Sequence, residues 1–172
     1  MIRLMTFTIR KPVLADAETL AALHVATWRE AYAHLLPDEF FTEAFIQGRL
    51  DMWQHVLGNP RDEWVVRIAE SEGTMIGFAF VGQSLPAEGQ VPPQDRQLYS
   101  IYVSAAHYSS GVGQALLDAV LGDQAAMLWV AKDNPRAVAF YLRNGFAFDG
   151  AEQIDPAAPK IIDARMVRSS VG

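Results

Sequence analysis

Two glycines in the second half of the chain, Gly111 and Gly113, lie between a predicted strand and a predicted helix. The first amides of a helix have no partner within the helix, and glycine lets a backbone approach a phosphate closely. This loop could therefore hold the pyrophosphate of a nucleotide ligand. A Gly-x-Gly pair by itself is equally compatible with an ordinary tight turn.

A short strand and a clearly bounded helix follow within the next 30 residues. Asn134 suits the N-cap of this helix, Pro135 suits its first position, and Gly145 suits the position just after its last turn. Tyr141 lies near the end of the helix, at a spacing that a buried core aromatic would also have. The continuation into strand, capped helix and tyrosine favours a functional interpretation of the glycine pair.

The first 60 residues predict one strand and two helices that must help to position this segment. Thr6 to Arg10 contains β-branched and aromatic residues and predicts a first strand, which ends at Lys11-Pro12 because proline lacks the donor for a ladder bond. Apolar residues at helical spacing, with Asp16 as the N-cap, predict a helix that reaches Ala31. Pro37 at a first helical turn predicts the start of a second helical segment that extends to Val56.

The rest of the chain predicts a hairpin, followed by alternating strands and helices. A turn at Ser71 to Gly73 joins two strand-like runs, and a proline-containing loop from Ser84 to Arg96 precedes a strand from Gln97 to Ser104. A helix after Gly113, a strand from Ala126 to Ala131, the capped helix and two last strands complete the order. The expected fold is α/β, a single mixed sheet flanked by helices, with residues 1–172 forming one domain.

The composition excludes several classes of protein. The chain of 172 residues is 51% hydrophobic and 20% charged, so it can bury a core and is not generally disordered. Its net charge of −6, without a basic run, argues against nucleic acid and membrane surfaces as partners. It has no cysteine, and its four histidines lack metal-ligand spacing, so no metal site is expected. No signal peptide or membrane span is predicted, which fits a cytoplasmic protein.

Two linked motifs resemble those of the GNAT superfamily of N-acetyltransferases. The family's acetyl-coenzyme A motif is similar to Leu98-Tyr99-Ser100-Ile101-Tyr102-Val103 and Gly111-Val112-Gly113-Gln114-Ala115-Leu116-Leu117. Its second motif is similar, in order and spacing, to Leu128-Trp129-Val130, Asn134, Ala137, Phe140-Tyr141 and Gly145-Phe146. The resemblance implies a mostly antiparallel sheet with splayed central strands, and transfer of an acetyl group from acetyl-coenzyme A to a primary amine by direct attack.

The resemblance also implies a role for each residue of these motifs. It makes Tyr141 the acid that protonates the leaving thiolate, because a phenol of pKa about 10 is still protonated at neutral pH. Main-chain amides of the strand around Tyr102 are expected to bind the pantetheine arm and to polarise the thioester carbonyl. The expected cofactor-binding residues are Ile101, Tyr102, Val103, Tyr108, Ser109, Ser110, Gly111, Val112, Gly113, Gln114, Asn134 and Arg136.

Two positions depart from the family's pattern. The phosphate loop has Tyr108 where the family usually has Arg or Gln, so backbone amides, serine hydroxyls and the helix dipole must hold the phosphates. Lys132 and Arg136 are the candidate cations that could assist them. Gln97 stands where some relatives have a glutamate base, and an amide cannot remove a proton.

The general base and the acceptor site are not fixed by the sequence. Besides a chain of water molecules, the candidate bases are Glu30, His34 and Glu39. The aromatic residues that could line an acceptor pocket, and that could equally pack in the core, are Trp28, Tyr32, Phe40 and Phe41. The expected acceptor is an amine of a small molecule or a peptide, and a homodimer is compatible with the sequence.

Two other functions remain open from the residues alone. A dinucleotide-binding oxidoreductase would also place a Gly-x-Gly pair before a helix, and Asp133 lies 22 residues after Gly111. Its third glycine is missing, because Leu116 occupies that position. A sensor that binds acyl-coenzyme A without turnover would keep the fold and lack the activity.

Overall fold

A computed structural model describes residues 5–87, 89–156 and 158–170. The strands and helices in this part of the chain are β1 (Thr8–Arg10), α1 (Ala17–Tyr32), α2 (Glu43–Gly58), β2 (Val65–Ser71), β3 (Thr74–Gln83), β4 (Arg96–Val103), α3 (Val112–Val120), β5 (Ala126–Ala131), α4 (Pro135–Arg143), β6 (Ala147–Ile154) and β7 (Ile162–Arg168). The predicted order of strands and helices is therefore confirmed. Among the described residues, no helix combines the length and the hydrophobicity required to cross a bilayer.

The strands form one sheet in the order β1-β2-β3-β4-β5-β7-β6. All neighbouring pairs are antiparallel except β4 and β5, which are parallel and pair only at Gln97–Met127 and Leu98–Leu128. Beyond Leu98 the two central strands separate, so the sheet is mostly antiparallel and splayed, as predicted. A dinucleotide-binding oxidoreductase would need a parallel, doubly wound sheet, and this topology excludes that alternative.

Helices cover both faces of the sheet. Along β3, Phe78 and Phe80 face α1 and α2, where they pack with Trp53, whereas Ala79 and Val81 face α3. This alternation follows from the two-residue period of a strand, which sends successive side chains to opposite faces. Strand β3 is therefore apolar on both sides. The separation of β4 and β5 opens a path between the layers of helices that cover the two faces of the sheet.

Helix α4 has the boundaries that its capping residues predict. The side chain of Asn134 accepts a hydrogen bond from the Ala137 amide at 3.2 Å, and Pro135 is the first helical residue. Gly145, just beyond the helix, has a φ of +84°, which favours glycine over residues with a Cβ. These local signals fix the helix that carries Tyr141.

The start of the second helix was predicted at Pro37, and that prediction is wrong. Residues 38–40 form one 3₁₀ turn, and α2 begins only at Glu43. Thr42 is the N-cap, because its hydroxyl accepts a hydrogen bond from the Phe45 amide at 3.1 Å. The segment between α1 and α2 is therefore a loop that contains one 3₁₀ turn.

Asp16 does occupy the N-cap position of α1, but its carboxylate does not cap the helix. It accepts hydrogen bonds from the Arg10 guanidinium at 2.9 Å and from the Val13 amide at 2.8 Å. Arg10 holds the pKa of Asp16 below its usual range through these bonds. Asp16 thus joins β1 to the start of α1.

Candidate functional site

A cleft of about 730 Å³ opens where β4 and β5 separate. Its walls come from β4, the loop before α3, the first turn of α3, helix α4 and the last turn of α1. The predicted site residues that line it are Ile101, Tyr102, Val103, Tyr108, Ser109, Ser110, Gly111, Gly113, Gln114, Asn134, Arg136 and Tyr141. Val112 differs from them, because its side chain is fully buried in the core beneath α3.

The main chain of β4 presents polar groups to this cleft. The Ser104 amide donates to the Ile76 carbonyl at 2.9 Å, and Tyr102 lies opposite Phe78 in the same register. In an antiparallel ladder every second residue of a strand is hydrogen-bonded to the same neighbouring strand. Tyr102 lies two residues before Ser104, so its main chain also faces β3. The amides and carbonyls of Ile101 and Val103 therefore face the opening toward β5, which does not pair with them.

The loop before α3 has the backbone shape of an anion-binding turn. Ser109 and Gly111 have φ values of +58° and +87°, and the Ser110 hydroxyl donates to the His107 carbonyl. The first backbone hydrogen bond of α3 runs from the Ala115 amide to the Gly111 carbonyl at 3.0 Å. The amides of residues 112–114 precede that bond, so they lack partners within the helix.

The two glycines of this loop serve different purposes. A Cβ on Gly111 would meet no atom within 4 Å, but its positive φ disfavours any other residue. Gly113 belongs to the first turn of α3, and a Cβ there would lie 3.7 Å from the Phe140 ring and 3.9 Å from Val103. The protein itself thus leaves room beside both glycines, as a cradle for pyrophosphate requires.

Cationic side chains reach this part of the cleft from α4. The guanidinium carbon of Arg136 lies 3.7 Å from the centroid of the Tyr108 ring, and Arg143 also lines the cleft. Lys132, the other predicted cation, forms an ion pair with Glu152 at 2.7 Å and does not line the cleft. Sequence reasoning missed Arg143, although its place seven residues after Arg136 puts both on one helix face.

Helices α3 and α4 are also joined by polar side chains at this end. The amide nitrogen of Gln114 donates to Asn144 and to Asp118, each at 2.9 Å. Asn144 in turn donates from its side chain to the Phe140 carbonyl at 2.9 Å. Gln114 therefore links the two helices that form this wall of the cleft.

Tyr141 is a buried residue on the cleft wall. Its ring packs edge-to-face against Phe140 and Phe146, with centroid distances of 5.5 and 5.9 Å. Burial raises the pKa of Tyr141 well above its ordinary value, and the nearby Tyr32 hydroxyl raises it further. The phenol is therefore protonated throughout the physiological pH range.

The candidate bases differ in their surroundings. Glu30 lines the cleft, but its carboxylate accepts a hydrogen bond from the Ala105 amide at 2.8 Å. His34 is an exposed residue at the cleft, whereas Glu39 is exposed and lies outside it. The Gln97 side chain accepts from the Leu85 amide at 3.0 Å, so it holds the loop after β3.

The aromatic residues that the sequence offered for an acceptor pocket form a packed cluster. Trp28 stacks on Phe40 at 6.3 Å, Phe40 contacts Phe41 edge-to-face at 5.3 Å, and Tyr32 contacts Trp28 edge-to-face at 5.0 Å. Of these four residues, which the sequence left between pocket and core, Tyr32 lines the cleft. The other three pack behind it, together with Phe45.

Comparisons with known proteins agree with this architecture. The model of the acetyltransferase (GNAT) family matches residues 20–146, more than half of the chain. The uncharacterized N-acetyltransferase YuaI of Bacillus subtilis is 29% identical over 141 residues, which cover 78% of this chain and 76% of that protein. A probable N-acetyltransferase of Mycobacterium tuberculosis is 28% identical over 146 residues, which cover 81% of this chain and 78% of that protein.

A solved structure shows the same fold over nearly the whole chain. The crystal structure of the PaiA N-acetyltransferase from Thermoplasma acidophilum, in complex with coenzyme A, superposes with a TM-score of 0.69. The match covers 96% of this chain and 99% of that one, at 21% sequence identity. The arrangement of splayed strands and flanking helices is thus shared at low sequence similarity.

Proposed function

The chain belongs to the GNAT family and is an acetyl-coenzyme A-dependent N-acetyltransferase, and we propose that Tyr141 is the acid of this reaction. The observation that carries the proposal is the placement of a buried, protonated phenol in the cleft that also contains the glycine loop and the main chain of Ile101 and Val103. Acetyl-coenzyme A supplies an acetyl group activated as a thioester. The acceptor is a primary amine of a small molecule or a peptide.

The residues around the start of α3 suit the phosphate end of the coenzyme. The unpartnered amides of residues 112–114 and the positive end of the α3 dipole attract an anion. Gly111 and Gly113 leave room for its close approach, and Arg136 adds a cation from α4. This arrangement compensates for the absence of a basic residue in the loop itself.

The main chain of β4 suits the pantetheine arm and the reacting carbonyl. Ile101 and Val103 turn their amides and carbonyls toward the cleft, where β5 does not pair with them. Amide donors held by the sheet stabilise charge that develops on an oxygen without having to reorganise. The main chain of Tyr102 faces β3 and is not available to the pantetheine arm. We therefore assign only the side chain of Tyr102 to the wall of the cleft.

Tyr141 holds its proton at Oη and donates it to the leaving sulfur as the carbon–sulfur bond breaks. Burial raises the pKa of this phenol, but burial in the same cleft also disfavours a thiolate and so raises the pKa of the leaving thiol. The acidities of the proton donor and the proton acceptor therefore remain matched. The nitrogen–carbon bond forms as the neutral amine attacks. The proton that the nitrogen loses restores Oη through water in the open cleft.

Three further expectations belong to this proposal. The single sheet supports one domain for residues 1–172, and the absence of cysteine is consistent with a cytoplasmic location. The net charge of −6 fits a protein without a nucleic-acid or membrane partner. A homodimer is compatible with the sequence, and light scattering would test it.

Thermal unfolding with candidate ligands tests the proposed function directly. A ligand present at about 100 times its Kd adds roughly 2.7 kcal/mol to the free energy of unfolding, so acetyl-coenzyme A should raise the Tm. NAD and NADP are the matched controls and should leave the Tm unchanged. Release of free thiol in the presence of polyamines, amino acids or short peptides then identifies the amine. A Tm raised by NAD alone would contradict the proposal.

A further inference from the structure

Tyr32, the last residue of α1, lines the cleft that opens where β4 and β5 separate. The residue is 7% exposed, and its ring packs edge-to-face against Trp28. The aromatic cluster around α1 therefore holds the ring in place. The position of the hydroxyl in the cleft is then set by the polar groups that surround it.

Two donors from other elements face the Tyr32 hydroxyl. One is the hydroxyl of Tyr102 on β4, and the other is the side-chain amide of Asn134, just before α4. Both of these residues also line the cleft. The Oδ1 of Asn134 already accepts the hydrogen bond from the Ala137 amide at 3.2 Å, as the N-cap of α4. This leaves the Nδ2 of Asn134, which can only donate, for Tyr32.

The hydrogen of the Tyr32 hydroxyl remains available, because the oxygen accepts from both neighbours. A phenolic hydroxyl can accept and donate at the same time. The carboxylate of Asp163 acts on Tyr32 only through its charge and is not its hydrogen-bond partner. Burial is the main cause that raises the pKa of Tyr32, and the charge of Asp163 raises it further. The hydroxyl therefore keeps its hydrogen at physiological pH and presents a donor to the cleft.

The hydroxyls of Tyr32 and Tyr141 lie near each other in this cleft. The two residues pack in separate clusters, Tyr32 with α1 and Tyr141 beneath α3, and both line the same opening. Tyr32 raises the pKa of Tyr141 through space, without a hydrogen bond between them. Two protonated hydroxyls that are close but not bonded to each other suit two atoms attached to one carbon. In a thioester these atoms are the sulfur and the carbonyl oxygen.

We propose that the Tyr32 hydroxyl donates a hydrogen bond to the carbonyl oxygen of the bound acetyl group. This inference rests on the proposed function, in which Tyr141 serves the sulfur of the same thioester. As the nitrogen–carbon bond forms, one electron pair of the carbonyl moves onto the oxygen, and the hydrogen of Tyr32 stabilises this charge without leaving Tyr32. As the carbon–sulfur bond breaks, the pair forms the carbonyl again and the sulfur takes its proton from Tyr141.

Tyr102 and Asn134 are positioning residues for this donor. Each faces the Tyr32 oxygen with a hydrogen, and hydrogen bonds that form a chain strengthen one another. The Tyr32 hydroxyl is therefore a better donor than an isolated phenol. The carbonyl oxygen then has a side-chain donor from α1 in addition to the main-chain amides of β4.

Tyr32→Phe removes this hydroxyl and keeps the ring. We expect kcat to fall by on the order of 10²-fold, as for the loss of one oxyanion donor, while the Tm and the Kd for acetyl-coenzyme A stay near their wild-type values. Tyr99→Phe is the matched control, because Tyr99 also lines the cleft but its hydroxyl donates to the Gln83 carbonyl. This control should keep the kcat of the wild type. An unchanged kcat in Tyr32→Phe would overturn the inference.

Infrared difference spectra of acetyl-coenzyme A labelled with carbon-13 at the carbonyl measure the hydrogen bond directly. A hydrogen bond to the oxygen weakens the carbonyl bond and moves its stretching band to lower wavenumber. The band of the bound thioester should therefore lie lower in the wild type and in Tyr99→Phe than in Tyr32→Phe. A purely structural role of Tyr32 would not produce this difference. Equal band positions in the wild type and Tyr32→Phe would overturn the inference.

Asn134→Asp is a second test, in which Tyr32 itself is unchanged. Aspartate retains an oxygen that caps α4, so the Tm should not fall. Its second oxygen replaces the Nδ2 donor by an acceptor, which draws the Tyr32 hydrogen away from the thioester. The kcat should therefore fall and the carbonyl band should move to higher wavenumber, as in Tyr32→Phe. A wild-type kcat and band position in this variant would contradict the orientation inferred for the hydroxyl.

The spectra require no acceptor, so they distinguish failure of this inference from failure of the proposed function. A band lowered by Tyr32, without acetylation of any amine, would reject the proposed function and support the hydrogen bond. Acetylation with equal band positions would reject the hydrogen bond alone. Failure of acetyl-coenzyme A to bind would reject both.

Discussion

The guanidinium of Arg136 lies on the face of the Tyr108 ring, with 3.7 Å between its carbon and the ring centroid. This contact joins the first turn of α4 to the loop before α3. Tyr108 occupies the position where the family usually has a basic or amide side chain, and Arg136 brings a cation to the same place. Tyr108 supplies no charge itself. Its ring holds the Arg136 guanidinium, which comes from α4 and takes the place of the missing charge.

Arg136→Gln should weaken the binding of coenzyme A by on the order of tenfold, because a charge-assisted contact with a phosphate is lost. The dependence of Kd on salt concentration should become shallower. Lys132→Gln is the matched control, since Lys132 pairs with Glu152 outside the cleft and should leave the Kd unchanged. Calorimetric titration at two salt concentrations checks both variants, and equal affinities for Arg136→Gln and wild type would remove this residue from the site.

Gly113→Ala should separate stability from coenzyme binding. The new Cβ would meet Phe140 and Val103 at ordinary contact distances, and alanine favours a helix over glycine by up to about 1 kcal/mol. The Tm should therefore stay level or rise, while the affinity for coenzyme A falls because the methyl group occupies the space of the pyrophosphate. Thermal unfolding and calorimetry measure the two effects on one sample.

Gly111→Ala is the companion variant for this loop. Its φ of +87° makes any Cβ unfavourable, so the free energy of unfolding should fall by about 1 kcal/mol even without a ligand. A stable Gly113→Ala protein with unaltered affinity for coenzyme A would show that the phosphates bind elsewhere.

The parts of the fold that depend on local chemistry were predictable from the sequence. Asn134, Pro135 and Gly145 define α4 through bonds and dihedrals within a few residues, and the sequence displays those residue types directly. The start of α2 was less accessible, because Pro37 and Thr42 both carry a helix-start signal. Only Thr42 supplies the side-chain acceptor that the helix needs.

The site was predictable where it follows one segment and not where distant segments meet. The glycine loop and the strand before it are continuous, so their proximity in the cleft follows from the chain itself. The contact between Trp28 and Arg49 joins two helices, and nothing in either helix announces the other. Lys132 and Arg136 have similar chemistry in the sequence, yet the end of β5 and the start of α4 direct them to different surfaces.

The stability of the protein should depend on pH through His24. This residue is 5% exposed, and its Nδ1 accepts a hydrogen bond from Trp53 Nε1 at 3.1 Å. Burial, assisted by the charge of Arg49, lowers the pKa of His24 to about 3. A lowered pKa contributes stability that is present above the unfolded value of about 6.5 and is lost as the pH falls toward 3.

Between pH 7 and pH 5 the lowered pKa of His24 should therefore reduce the free energy of unfolding by about 2 kcal/mol. Urea denaturation at the two pH values measures the loss. The slope should disappear in His24→Gln, whose side-chain oxygen can still accept from Trp53, and should persist in His55→Gln, because His55 is exposed. Equal slopes in wild type and His24→Gln would show that His24 is not held neutral.

Tyr141→Phe should separate proton donation from packing. The substitution keeps the ring against Phe140 and Phe146 and removes only the hydroxyl. Loss of a positioned acid should lower kcat by on the order of 10²-fold, while the Tm and the Kd for acetyl-coenzyme A change little. Because burial raises the pKa of Tyr141, the wild-type rate should not fall at moderately alkaline pH through loss of this proton.

The experiment requires conditions in which chemistry limits the rate, because slow product release would conceal a defect in proton transfer. Single-turnover measurements with enzyme in excess over acetyl-coenzyme A meet this requirement. In Tyr141→Phe the sulfur leaves as an unprotonated thiolate. The rate of this variant should therefore depend more strongly than that of the wild type on the pKa of the leaving thiol. Acetyl esters of thiols with lower pKa should therefore restore part of the rate in Tyr141→Phe and change the wild type less. Full single-turnover activity of Tyr141→Phe would assign this tyrosine to packing and leave the coenzyme site unaffected.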